Sequence, residues 1–320
     1  MKKKAVFIFI IFIFTEYAAV NAQKRYLHPV TNQIDTETHT YIIKNGEKLD
    51  MDIYLPVDDE KTDRPLLLFV HGGGFQSGKR NSEGIVNFCN RMACYGYITA
   101  SMTYRLTRKD QPEAFECNCP VSEKMKTFDA AVEDIQDATF YLIQNYEYLG
   151  IDPNKIILAG SSAGAEVVLI TAYSPPVCYD LPSGPVSYAG VISMAGAIPD
   201  TSIIYSESAV PSLFFHGTDD NLVPYASAPH HYCEKNQPGF LILHGSQTLA
   251  NKFQTLEVPY WLHTTCGGGH ELAGRPMVDY FNEIIDFCYT FVLNNQGEFR
   301  HTIIKGKEQN PKYKQFNFCE

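Results

Sequence analysis

The chain has 320 residues, 45% of them hydrophobic, which is enough for one large domain with a full core. Its 26 Lys and Arg stand against 36 Asp and Glu, a formal net charge of −10. So acidic a chain repels phosphate backbones, which argues against a nucleic-acid partner. The first stretch is Met1-Lys2-Lys3-Lys4, an apolar run from Ala5 to Phe14, then Val20-Asn21-Ala22. A basic start, a short apolar core and a small-residue end read as a secretory signal peptide. The run falls far short of the ~20 residues of a membrane-spanning helix, so no stable membrane anchor is expected. The reading is therefore a leader over residues 1–22, cleaved near Ala22, and a single domain over residues 23–320, secreted or periplasmic. Nine cysteines are an odd count. Export permits disulfides, yet at least one thiol must be left over or pair between chains, and the sequence assigns no pairing. No two C-x-x-C pairs stand at zinc spacing, so no metal is expected.

Tyr41-Ile42-Ile43, Asn45-Gly46 and the alternating Leu49, Met51, Ile53 and Leu55 read as a β-hairpin. Leu66 to Val70 is a continuous apolar strand ending at His71-Gly72-Gly73-Gly74. A helix from Ser82 through Tyr95 and a strand from Tyr97 to Tyr104 follow. Residues 105–120 show no period and read as a surface loop. A long helix capped by Ser122 carries Met125, Phe128, Val132, Ile135, Leu142 and Tyr146 on one stripe, and ends at Leu149-Gly150. Ile156 to Leu158 is a buried strand, and an Ala-rich helix follows Gly164. Beyond a Pro- and Ser-containing loop (174–187), strands are expected over 188–194, 211–216 and 258–263, with His230-His231 in a helix. Ser246 caps a helix that turns Leu249, Phe253 and Leu256 inward. A last long helix starts at Pro276 and buries Tyr280, Phe281, Ile284, Cys288 and Phe291. Residues 297–320 have no assigned structure. Strand and helix in alternation imply a mostly parallel sheet of about eight strands with helices on both faces.

Between the Ile156 strand and its helix lies Gly160-Ser161-Ser162-Ala163-Gly164. A strand-to-helix turn this tight needs small residues two before and two after its apex, which places Ser162 at the tip of a nucleophile elbow. Ser161 is excluded by spacing, because its own flanks are Ala159 and Ala163. A serine hydroxyl is a weak nucleophile and needs a base, a group that orients the base, and donors for an oxyanion. On such sheets the order is Ser, then Asp or Glu, then His. The acid is Asp220, with Asp219 as the alternative, in His216-Gly217-Thr218-Asp219-Asp220-Asn221 just past an apolar strand. The base is His270, in the glycine-built turn Gly267-Gly268-Gly269-His270 after the strand that carries Trp261. The oxyanion donors are the N–H groups of Gly73, Gly74 and Ala163. A phosphate cradle is the other use of a glycine-rich loop, but neither Gly-Lys-Ser/Thr nor G-x-G-x-x-G is present.

The stretches His71 to Phe75, Gly160 to Gly164, His216 to Pro224 and Gly269-His270 resemble the α/β-hydrolase superfamily. They are most similar to its HGGG-bearing branch of carboxylesterases, acetyl esterases and feruloyl-type esterases. The resemblance runs from Leu49 to Leu293 in the correct order, and Tyr104-Arg105-Leu106 resembles the family's structural Tyr-Arg-Leu. It implies an α/β-hydrolase fold, a triad of Ser162, Asp220 and His270, an oxyanion hole of Gly73, Gly74 and Ala163, and no cofactor. The expected activity is that of an exported serine carboxylesterase acting through an acyl-enzyme on small-molecule or carbohydrate esters, such as acetyl or feruloyl decorations. The alternatives are a peptidase of the prolyl-oligopeptidase kind, a non-catalytic binding protein on the same scaffold, and a thioesterase or lactonase. Only a short stretch precedes the first strand. That departs from relatives with an amino-terminal helical cap and implies an open cleft, walled by residues 105–120 and 174–187.

Overall fold

A computed structural model describes residues 25–175, 186–306, 308–310, 312 and 319. The expected leader, and residues 176–185 of the expected cleft wall, lie outside the described residues.

The sheet is built outward from β3 (Arg64–Val70), every residue of which is buried. Alternation divides its side chains: Leu66, Leu68 and Val70 enter one core, Leu67 and Phe69 the other. Both faces must therefore be covered, which the flanking helices do. In chain order the remaining elements are β1 (Ile34–Lys44), β2 (Glu47–Pro56), α1 (Glu83–Cys94), β4 (Ile98–Met102), α2 (Val121–Gln144), β5 (Ile151–Ser161) and α3 (Ala163–Tyr173). They continue with β6 (Gly190–Met194), β7 (Ala197–Ile198), β8 (Ser212–Gly217), β9 (Ser227–Pro229), β10 (Ile242–Gly245) and α4 (Ser246–Thr255). The last are β11 (Tyr260–Cys266), α5 (Phe281–Phe287) and β12 (Phe299–Lys305). Nine strands lie in the order β1-β2-β4-β3-β5-β6-β8-β11-β12, and β7-β10-β9 form a small second sheet. From β4 to β12 all neighbours are parallel, while β2 runs against both β1 and β4. Phe128, Ile135, Val167 and Phe253 fill the core on one face, and Phe88, Phe281 and Ile284 that on the other.

Among the described residues the main sheet has nine strands, against the expected number of about eight. The extra one, β12, comes from the tail and pairs in parallel with β11 from Tyr260↔Phe299 to Cys266↔Lys305. Helix α2 begins at Val121 after Pro120, so Ser122 lies inside the first turn and is not its cap. Tyr146 falls outside the buried stripe and is 38% exposed. The last helical stretch is interrupted: Pro276–Asp279 is a separate short turn, α5 follows, and Cys288–Leu293 widens into a π-helix. His230 and His231 lie in a short 3₁₀ turn, and His231 has φ 53°, which no continuous helix allows. Ser246 opens α4 as its first residue rather than capping it, and its hydroxyl is taken by His216.

Two disulfides close long loops, Cys117–Cys233 and Cys266–Cys319, with Cys89, Cys94, Cys119 and Cys288 free among the described residues. The first ties the 105–120 loop to the segment carrying His230. The second pins the tail four residues before His270. Among the described residues no helix is long and apolar enough to cross a membrane.

Candidate active site

The carboxyl ends of β5, β8 and β11 meet along one edge of the sheet, and each passes directly into a loop that carries one chemical group. At the end of β5 the chain reverses into α3 through Ser162, whose φ of 52° and ψ of −123° lie in a region costly for a non-glycine residue. The turn closes only because of what flanks it. A Cβ on Gly164 would stand 2.2 Å from the carbonyl oxygen of Val70, and one on Gly160 would stand 2.4 Å from that of Gly164. Backbone atoms on both sides leave no flexible neighbour to yield. Gly164→Ala is expected to cost about 3 kcal/mol or more, the scale of a severe overpacking. Urea unfolding beside an Ala165→Gly control measures it, and equal stability of the two variants would contradict the close-approach account.

Ser162 Oγ lies 2.7 Å from His270 Nε2, and His270 Nδ1 lies 2.8 Å from Asp220 Oδ2. An ionised carboxylate only accepts, so Nδ1 carries the ring proton and donates it to Asp220. Nε2 is then free to accept from the serine hydroxyl. Asp220 is fully buried. Its Oδ1 accepts from the backbone N–H groups of Leu222 and Val223 at 2.9 and 3.0 Å. Burial alone would raise this carboxyl. Hydrogen bonding from His216 and His270 and the field of both rings outweigh burial and hold it well below the ordinary carboxylate range. His216 is itself fixed by the Ser246 hydroxyl on Nδ1 at 2.8 Å and by the Val223 carbonyl on Nε2 at 3.1 Å.

Asp219, the alternative acid, points elsewhere. Its Oδ1 accepts from the Thr218 hydroxyl and its Oδ2 from the backbone N–H of Asn310 in the tail. The Ser161 hydroxyl donates to the carbonyl of Ala273 at 2.6 Å, on the other side of the turn. Gly73, Gly74 and Ala163 line the same cleft as Ser162 and His270. Gly73 has φ 121°, and a Cβ there would stand 2.2 Å from the Ser77 carbonyl, so only glycine permits this loop conformation. The loop is braced from below. Tyr104 Oη donates to the His71 carbonyl at 3.0 Å, and its ring stacks on His71 at 4.6 Å. The next residue, Arg105, clamps Asp134 on α2.

The cleft encloses about 570 Å³ and is lined by the glycine loop and the segment 230–231 among others. Phe115 and Glu116, from the disulfide-tied loop, form part of its wall.

Residues 51–177 match the family described as BD-FAE, a stretch holding both the glycine loop and the elbow. The fold is similar to that of a thermophilic esterase from Thermogutta terrifontis, with a TM-score of 0.58 and 20% identity, covering 82% of this chain and 95% of that one. The chain has the α/β-hydrolase fold. Among curated relatives, the chain is 34% identical to Gut esterase 1 of Caenorhabditis elegans over 127 residues, 40% of this chain and 21% of that one. It is 24% identical to Esterase LipC of Mycobacterium tuberculosis over 210 residues, 62% of this chain and 47% of that one. The match thus spans less than half the length of either relative.

The cleft also contains groups that sequence reasoning passes over. Glu166 and His230 are buried at its floor, with Lys124 behind them. A signal for Glu166 does exist. It stands four residues after Ser162 on a helix whose other buried positions are almost all apolar, so it lies on the nucleophile's own face. Lys124 and His230 give no such signal, because they meet only through the fold.

Proposed function

We propose that the chain is a serine carboxylesterase in which Ser162 is the nucleophile, His270 the general base, and Asp220 the group that orients and stabilises the imidazolium. The observation that carries this reading is the unbroken hydrogen-bond line from Ser162 Oγ through both nitrogens of His270 to a buried, ionised Asp220. In the proposed cycle Nε2 takes the hydroxyl proton as Oγ attacks the ester carbonyl. The oxyanion forms against the N–H groups of Gly73, Gly74 and Ala163, and the protonated ring then gives its proton to the departing alcohol. Water enters through the same base, releases the acid and restores Ser162. Its supports outside the chain are the esterase names of its relatives.

The finer reading is that residues 23–320 act as one exported domain on carbohydrate esters. Disulfides suit an oxidising compartment, and an open cleft with Gln76, Glu116 and His231 among its lining residues suits a hydroxyl-bearing substrate. The test is a fluorophosphonate probe with mass mapping of the adduct, run beside turnover of p-nitrophenyl acetate and of acetylated and feruloylated xylan. Labelling confined to Ser162 together with ester turnover is the expected result. A folded protein that neither reacts with the probe nor cleaves any of these esters would end the esterase reading.

A further inference from the structure

The floor of the cleft holds a buried acid without a partner. Helix α3 starts at the residue after Ser162, so Glu166 lies on the same helix face, about one 5.4 Å turn deeper. It lines the cleft yet is only 1% exposed, and its Oε1 has no hydrogen-bond partner among the described residues. A polar group so placed costs free energy unless something completes it.

The neighbours do not complete it. Lys124 Nζ, fully buried, donates to the Gly239 carbonyl at 3.0 Å and to His230 Nδ1 at 3.2 Å. An ammonium only donates, so Nδ1 accepts and the His230 ring proton sits on Nε2. That nitrogen faces Glu166 Oε1 at 3.6 Å, beyond hydrogen-bond length. Lys124 is therefore satisfied behind the ring, and His230 is oriented by it, while Glu166 keeps unused capacity on the cleft side. Burial pushes the Glu166 carboxyl well above the ordinary range, Lys124 opposes this and Asp220 adds to it. Burial likewise pushes the His230 ring down. His231, edge-on to His230 at 4.2 Å between ring centroids, also lines the cleft, and burial pushes its ring down to about 4. The floor thus presents a carboxyl and an imidazole N–H with hydrogen-bonding capacity left over. A hydrocarbon chain would leave that capacity unpaired.

We propose that Glu166, with His230 and Lys124 behind it, is a specificity-determining residue that receives an uncharged hydroxyl of the substrate within a few bonds of the ester carbonyl. The inference rests on the esterase reading of the same cleft. The hydroxyl belongs either to the acyl chain or to the alcohol, and the two sources are separable.

Two matched pairs test it: methyl 3-hydroxybutyrate against methyl butyrate for the acid side, and 2,3-dihydroxypropyl butyrate against propyl butyrate for the alcohol side. In kcat/KM, the unsubstituted protein is expected to favour the hydroxylated member of one pair by about tenfold to a hundredfold. Glu166→Leu brings that ratio to about one, and Glu166→Gln, which still hydrogen-bonds, retains most of it. If the leucine variant does not fold, Glu166→Met takes its place. No preference in either pair, or a preference that persists without the carboxyl, overturns the proposal. Calorimetric binding of the same four esters to Ser162→Ala reads the subsite without turnover. Selective binding that depends on Glu166 in a protein that cleaves none of them faults the esterase reading alone.

Discussion

Ser162→Ala and His270→Ala are each expected to lower kcat for p-nitrophenyl acetate by roughly 10⁴–10⁶-fold, and the double variant to lose no more than the worse single one. The reason is geometric. The 2.7 Å contact between Ser162 Oγ and His270 Nε2 makes one device of two side chains. Without the hydroxyl the base has no proton to take, and without the base the hydroxyl remains a poor nucleophile. What survives in all three variants is the background owed to substrate positioning and to the donors of the glycine loop and Ala163. Single-turnover and steady-state rates, measured with the variants' thermal midpoints alongside, separate lost chemistry from lost fold. Losses that multiply in the double variant would mean that the two residues act independently, and the proposed mechanism would fall with that result.

Much of this arrangement is readable from residue order because each group follows a strand directly. Leu66 to Val70, Ile156 to Leu158 and the apolar run before His216 are short, saturated with buried side chains, and each is followed by glycine-bearing sequence. In a parallel sheet such strands end on one edge, so the order of the motifs already implies their juxtaposition. The structure brings Ser162, His270 and Asp220 into hydrogen-bonding sequence and turns Asp219 toward the tail.

What residue order hides has a common cause. β12 carries an alternating half-buried pattern from Phe299 to Lys305, short and mostly polar, and it becomes a strand only because β11 offers an unpaired edge. The chain around His230 and His231 takes a turn with positive φ where local pattern suggests a helix, and the Cys117–Cys233 crosslink immediately after it belongs to the tertiary structure. The break before α5 and the π-helix after it likewise follow from packing, as Phe281, Phe287 and Phe291 fit against the sheet. Local propensity has no access to any of these partners.

Asp220→Asn is expected to lower kcat by about 10⁴-fold, or roughly 5.5 kcal/mol of barrier, with little change in KM. The substitution is close to isosteric, but its amide can sit only one way. The backbone N–H groups of Leu222 and Val223 require an acceptor where Oδ1 now lies, so the new NH₂ must occupy the place of Oδ2. There it meets His270 Nδ1 and forces that nitrogen to accept. The ring proton moves to Nε2, against the Ser162 hydroxyl, where a base is needed. It also opposes His216 Nε2, which already donates to Val223. Stability should change with a definite sign of pH dependence. The Asp220 carboxyl is held well below its ordinary value of ~3.9, so its ionisation stabilises the fold above that pH, and this contribution is lost as pH falls through the depressed folded value. The asparagine variant lacks that contribution at every pH. Its deficit relative to the unsubstituted protein is therefore greatest near neutrality and shrinks below about pH 4. Urea titrations at pH 7 and pH 3 measure the difference directly. A deficit that is equal at both values, or one that grows in acid, would show that the folded protein does not hold the Asp220 carboxyl below its ordinary value, and the hydrogen bonds credited with that would not supply it.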